Sequence, residues 1–204
     1  MNNYLMLNNT RIDLTPAQVE EIKKSFGLGA IPLKDVVAGD VVKIGDLEFI
    51  VLEHFEDGTT ALLLKNLWKT AKFDNNSNDY SKSALRKDLN ENFCNVLSTI
   101  VGEENIVKHT IDLTSDDGRT DYGSCEDYIS LLTCAMYRKY VYTLDKYRLD
   151  NWWWLATAYS TKSNGYDFSV RCVNDNGTLD YGGCDYARGV RPFCILKSNI
   201  FVSE

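Results

Sequence analysis

Histidine is scarce in this chain of 204 residues, with two copies, His54 and His109. A Ser-His-Asp or Cys-His engine needs a histidine to take the proton, so only these positions could serve. Neither lies in a G-x-S-x-G elbow or an H-E-x-x-H helix, and both fall at or within expected strands, where packing explains them. Phosphate loops are missing as well, since no G-x-x-x-x-G-K follows a strand. No run of about 18 apolar residues occurs, so no membrane helix is expected. No basic and apolar leader is visible, and the chain is expected to be made in the cytoplasm. Basic residues are outnumbered 29 to 22, the net charge is -7 and the isoelectric point is near 4.9. That balance disfavours a binder of nucleic-acid backbone, which needs a basic stripe to displace counterions. The six cysteines, Cys94, Cys125, Cys134, Cys172, Cys184 and Cys194, form no C-x-x-C pair and are read as reduced thiols. Tandem repeats, low-complexity tracts and linkers are lacking, which favours one main domain.

What is abundant is tyrosine. The 12 tyrosines and 4 tryptophans give an aromatic share of 12%, and tyrosine in excess suits a binding face because it offers area and a hydroxyl at low entropic cost. Residues 4–7 and 11–14 read as a hairpin around Asn8-Asn9. Thr15, Pro16 and Gln18 then open a capped helix with Val19, Ile22 and Phe26 on its apolar side and Gly27 at its end. Residues 1–32 are expected to pack as an extra piece on a main domain of residues 33–204. In that domain, residues 41–44, 47–52 and 60–64 predict a meander through Gly45-Asp46 and Asp57-Gly58. After a polar loop at 75–79, Leu85, Leu89, Phe93, Val96, Leu97 and Ile100 predict an amphipathic helix over 81–100. Residues 106–113 and 128–132 read as strands around a polar turn at 115–123. Thr133 caps a helix through Met136, Tyr140 and Leu144. Strands are expected at 152–156, 167–173, 178–181 and 190–196, with Asn176-Gly177 as a hairpin turn.

The segments GDxVKIGDLEFIVLEH (39–54), ALLLK (61–65), SALRKDLNENF (83–93), DLTSDDGRTDYG (112–123), SLLT (130–133), WWWLAT (152–157) and GVRPFCIL (189–196) form a recognisable series. Over residues 33–196 the chain resembles a bacterial and phage domain family of unknown function whose members end in WWLRSPG-like and GVRPA-like strands. That family resembles the C-type-lectin-like fold of formylglycine-generating enzymes and of the variable proteins of diversity-generating retroelements. The resemblance implies an α+β fold of twisted antiparallel sheets with two to three packed helices. It also implies that residues 156–188 carry the ligand-facing positions: Tyr159, Asn164, Tyr166, Asp167, Asn174, Asp180, Tyr181, Asp185 and Tyr186. The chain departs from the family where Ala156-Thr157-Ala158 replaces the arginine, proline and glycine of WWLRSPG. Between Leu155 and Gly189 it has no Glu, Gln, Met, Trp or Pro and one Lys. Adenine-directed mutation of Asn codons leaves such a palette, and so does any set of Gly- and Asn-rich hairpin loops.

In the tryptophan strand Trp153 should face away from Trp152 and Trp154, and could floor a pocket or fill the core. Arg191 reads as a buried ion-pair partner or an anion clamp. Asp112, Asp116, Asp117 and Asp121 crowd a glycine-containing loop; Asp116, Asp117 and Asp121 are weak Ca²⁺ candidates against a plain solvated turn. Cys172, Cys184 and Cys194 invite comparison with the copper-binding cysteines of formylglycine-generating enzymes, with buried thiols favoured.

The resulting expectation is a non-catalytic binding module without a cofactor, encoded by a phage or prophage. Its partner would be a protein, a glycan or another small molecule. It would act from the cytoplasm or on a virion, as a monomer or homo-oligomer. An intracellular inhibitor of a bacterial defence system and, remotely, a copper or thiol oxidoreductase are the alternatives.

Overall fold

The structure, a computed structural model, describes residues 4–7, 10–26 and 29–203. It is an α+β arrangement in which two sheets lie between helices. The first sheet runs Ile129–Ser130, Phe193–Lys197, Thr59–Leu64, Leu47–His54, Val41–Ile44, with Ile106–Val107 also paired to Phe193–Lys197, and every pairing is antiparallel. Its meander is the expected one. The turns at Gly45 and Gly58 have φ of +61° and +82°, conformations open to glycine and strained for other residues.

The second sheet runs Leu179–Gly183, Ser169–Val173, Trp153–Ala158, Ala187–Val190, Lys69–Lys72. One pairing departs from the expected antiparallel sheets, because Trp153 pairs with Gly189 in parallel. The anticipated closing strand at 190–196 is also two strands in different sheets. Pro192 has no N–H to give a ladder, and the chain crosses there from Ala187–Val190 to Phe193–Lys197. Likewise, 106–113 divides: Ile106–Val107 joins the first sheet while His109–Asp112 pairs with Ser124–Asp127 as a separate hairpin.

Strand alternation sorts side chains into two cores. Phe49, Val51, Leu62, Leu64, Trp154, Ala156, Val170 and Cys172 pack with the long helical stretch. Their neighbours Ile50, Leu52, Ala61, Leu63, Trp153, Leu155 and Val173 pack with the helix Cys134–Leu144. Trp153 thus faces away from Trp154, as expected of a strand with period two.

The long helical stretch comprises Ala84–Asp88, a π turn at Leu89–Phe93 and Cys94–Val101. Its buried residues Leu85, Leu89, Phe93 and Leu97 are four positions apart. An α-helix turns about 100° per residue, so each such step overshoots a full turn by about 40°. The π turn spends extra residues per turn and restores the alignment. Val96 and Ile100, expected on the apolar face, are consequently 48% and 42% exposed. The stretch starts at Ala84, later than expected, capped by Ser83, whose hydroxyl accepts from the Arg86 N–H.

At the N-terminus Tyr4–Leu7 and Thr10–Asp13 pair antiparallel; their Asn8-Asn9 connection, and Gly27 after the helix Pro16–Phe26, lie outside the described residues. The expected capping box is present, with Thr15 N–H donating to Gln18 Oε1 at 2.9 Å and Gln18 N–H to Thr15 Oγ1 at 3.3 Å. Thr133 caps its helix through Met136 N–H at 3.2 Å.

Candidate functional site

Residues 112–123 connect the strands His109–Asp112 and Ser124–Asp127. Asp112 starts the loop as a local turn, accepting from Thr114 N–H and Oγ1 at 2.9 and 2.6 Å. The next aspartates reach outward. Asp116 accepts from Arg138 at 2.7 Å and Arg171 at 2.5 Å. Asp117 accepts from Ser115 at 2.5 Å, Ser160 at 2.7 Å and Arg119 at 3.2 Å. Asp121 accepts from Thr161 and Ser163. Three carboxylates therefore stitch this loop to the 160–163 turn, to the helix Cys134–Leu144 and to the strand Ser169–Val173.

Hydrogen bonds from Ser115 and Ser160 hold the Asp117 carboxyl down at about 2, and those from Ser163 and Thr161 lower Asp121. Burial opposes ionisation of Asp116, yet the two arginines outweigh it and its carboxyl also sits below the usual range. These are the aspartates named as weak Ca²⁺ candidates. Asp116, Asp117 and Asp121 are turned toward different donors, and among the described residues no three His, Cys, Asp or Glu converge on one point.

The facing loop is held from below by a side chain whose importance the sequence did not reveal. Asn78 is completely buried. Its amide lies 2.9 Å from the Ser160 carbonyl and 2.8 Å from those of Tyr166 and Ser169. Tyr122 donates to its Oδ1 at 2.7 Å and in turn accepts the Lys162 N–H at 3.2 Å. The Asn78 N–H donates to the Asp167 carbonyl at 2.9 Å. The turn is thereby tied to the scaffold from below as well as through its own hydrogen bonds.

Between these loops lies a cleft of about 280 Å³ lined by Asp116, Asp117, Tyr159, Ser160, Asn164, Tyr166 and Arg171. Tyr159 is at its centre, with ring centroids 6.2 Å from Tyr166 and 4.9 Å from Tyr181, and the Arg171 guanidinium lies 4.7 Å above its ring. Tyr166 and Tyr181 are 55% and 52% exposed. Asn164 donates to Ser160 Oγ at 3.2 Å.

Of the positions expected to face a ligand, Tyr159, Asn164 and Tyr166 line the cleft and Tyr181 flanks it. Asp167 is half-buried and gives its carbonyl to Asn78. Asp180 accepts from the Tyr181 N–H at 2.8 Å. Asp185 and Tyr186 lie in the connection to Ala187–Val190, where Tyr186 is exposed 6.0 Å from the Arg188 guanidinium. Three positions are corrected from ligand-facing to buried. Trp153 packs edge-on against Tyr137 at 5.8 Å. Asn174 closes the Asn176-Gly177 turn by accepting from Asn176 and Thr178 N–H at 3.1 and 3.0 Å. Arg191 donates to the carbonyls of Leu64 and Lys65 at 2.8 Å each, so its partners are backbone rather than a carboxylate, and burial pulls its guanidinium down to about 10. Arg171 and Ser160 are the lining residues that sequence reasoning missed. The alternation of Ser169–Val173 does set Arg171 opposite the buried Val170 and Cys172, a signal that could have singled it out.

Elsewhere, His109 Nε2 is 2.9 Å from Ser130 Oγ. This has the form of a nucleophile and base, but Ser130 is completely buried and burial lowers the His109 imidazole. His54 bridges Thr60 Oγ1 and the Val36 carbonyl at 2.8 Å each. The six cysteines are free. Burial pushes the thiols of Cys125, Cys134 and Cys184 up to about 11 and Cys172 to about 12.

A family model described as a domain of unknown function (DUF6273) matches residues 135–198. That segment supplies the tyrosine, Asn164 and Arg171 side of the cleft and leaves out the aspartate loop. No curated protein and no solved structure matches the chain. No helix among the described residues is long and apolar enough to cross a membrane.

Proposed function

We propose that the chain is a non-catalytic binding module whose ligand seats in the cleft between the aspartate loop and the tyrosine-bearing loops. The observation that carries this reading is the convergence of Tyr159, Asn164 and Tyr166 with Asp116, Asp117 and Arg171 around one opening of about 280 Å³. Aromatic walls with a few fixed polar groups are the usual make-up of a ligand site. The lining is held rigid by Asn78 and by the aspartate cross-links, and a rigid frame beneath exposed side chains limits the entropy lost on binding.

The test is affinity capture from bacterial lysate and envelope fractions by the wild-type chain and by a Tyr159→Ala, Tyr166→Ala, Tyr181→Ala, Tyr186→Ala variant whose folding is verified by thermal melt. A specific partner should be lost with the folded variant. A partner that the variant retains unchanged overturns the placement of the site.

A further inference from the structure

Hydrogen-bond and charge accounting in the cleft narrows the class of ligand. Three guanidinium groups adjoin it, and each is already engaged: Arg138 and Arg171 by Asp116 at 2.7 and 2.5 Å, Arg119 by Asp117 at 3.2 Å. An entering phosphate or carboxylate would meet Asp116 and Asp117, both held ionised, while the Arg171 Nε, which has no partner, is buried. A cation would meet the like charge of the Arg171 guanidinium, which lies 4.7 Å over the Tyr159 ring.

A neutral ligand meets neither obstacle. Tyr166, 55% exposed, presents a free apolar ring. Each carboxylate has about four lone-pair directions, of which side chains use two at Asp116 and three at Asp117. The second amide proton of Asn164 and the carboxylate lone pairs that remain lie around the same opening. The arrangement is an apolar platform bordered by mixed donors and acceptors. Its complement is a ring whose C–H face stacks on an aromatic and whose edge carries hydroxyls, each able to donate and accept. The opening of about 280 Å³ lies just below the range of about 300–1,000 Å³ found for drug-sized ligands, so it admits a single ring.

We infer that the cleft holds one pyranose unit of a neutral saccharide, by stacking on Tyr166 and hydrogen bonding to Asp116, Asp117 and Asn164, an inference that rests on the binding reading above. The experiment titrates the purified full chain, by isotope-edited NMR, with neutral methyl pyranosides and neutral trisaccharides. Matched glucose 6-phosphate, glucuronate and glucosamine, and a pool of short peptides, form the comparison arms. At least one neutral saccharide should give saturable shifts for Tyr159, Tyr166 and Asn164. Its phosphorylated, carboxylated or aminated analogue should bind about tenfold more weakly. Tyr166→Ala, which removes an exposed ring and leaves the fold intact by thermal melt, should weaken binding about tenfold, while Tyr166→Phe stays within about threefold. Saturation of the same resonances by a charged ligand or a peptide, with no response to any neutral saccharide, overturns the saccharide class and leaves the binding reading standing. Saccharide binding indifferent to Tyr166→Ala overturns the assignment of the cleft as well. No response in any arm also overturns the saccharide inference.

Discussion

Replacing Asn78 by alanine removes a donor shared by three carbonyls, those of Ser160, Tyr166 and Ser169, and the acceptor for the Tyr122 hydroxyl. The amide has two protons for three acceptors, so at most two strong bonds form at once and the third contact is shared. A buried polar group left without a partner costs about 1–3 kcal/mol. Two orphaned carbonyls and one orphaned hydroxyl, partly relieved by water entering the loop, bring the expected loss to about 3–5 kcal/mol. In a domain of this size, each kcal/mol moves the midpoint by about 2–4 °C, so a thermal melt should fall by about 6–20 °C. If the loop releases locally instead, tryptic cleavage after the exposed Lys162 should accelerate while the global midpoint moves less. The isosteric Asn78→Asp separates chemistry from packing: it keeps an acceptor for Tyr122 but turns a carboxylate toward the three carbonyls, and should be no more stable than the alanine variant. A loss below about 1 kcal/mol in Asn78→Ala, with unchanged cleavage at Lys162, would refute the idea that this side chain holds the loop.

Three further outcomes are expected. Arg191→Met removes the donor to two buried carbonyls and should lower stability by about 2–4 kcal/mol in urea titration, and a neutral result would mean that water replaces the guanidinium. Asp117, lowered to about 2 by Ser115 and Ser160, has a folded value below its unfolded one. Its contribution is therefore full above the ordinary aspartate range and lost as pH falls from about 4 toward about 2, so Asp117→Asn should flatten the acid limb of a stability-versus-pH curve. Burial raises the thiols of Cys134 and Cys172 to about 11 and 12. Iodoacetamide at pH 8 should leave both unmodified in the native chain and react in urea, and mass spectrometry showing rapid native modification would contradict their burial.

The relation between sequence and structure follows from what acts locally. The capping box at Thr15 and Gln18, the Thr133 cap, the three-stranded meander, the Asn176-Gly177 turn and the opposed faces of Trp153 and Trp154 were all readable. Each depends on residues a few positions apart, on a glycine conformation or on strand period. The apolar spacing of the long helical stretch was readable too, but its π turn was not, because Leu85, Leu89, Phe93 and Leu97 are brought into line by the sheet they pack on. That packing put Val96 and Ile100 outside. The strand expected over 190–196 ran through Pro192, and the transfer of the chain there from one sheet to the other was decided by tertiary pairing.

For the cleft, the tyrosine-rich stretch pointed to Tyr159, Asn164, Tyr166 and Tyr181. Its opposite wall came from Asp116 and Asp117, some 40 residues earlier in the chain, and no local pattern announces that pairing. Loose aspartates read from sequence as a solvated turn or a weak cation site. The fold made them cross-links by bringing Ser160, Thr161, Ser163, Arg138 and Arg171 within hydrogen-bond reach. Asn78 is the clearest case: a small amide in a polar stretch carries no periodicity, and its role exists only once three distant carbonyls are gathered around it. Sequence by itself thus determined the elements, their caps and one aromatic wall. Tertiary structure decided which polar side chains meet, because hydrogen bonds are specified by position in space and burial makes their absence costly.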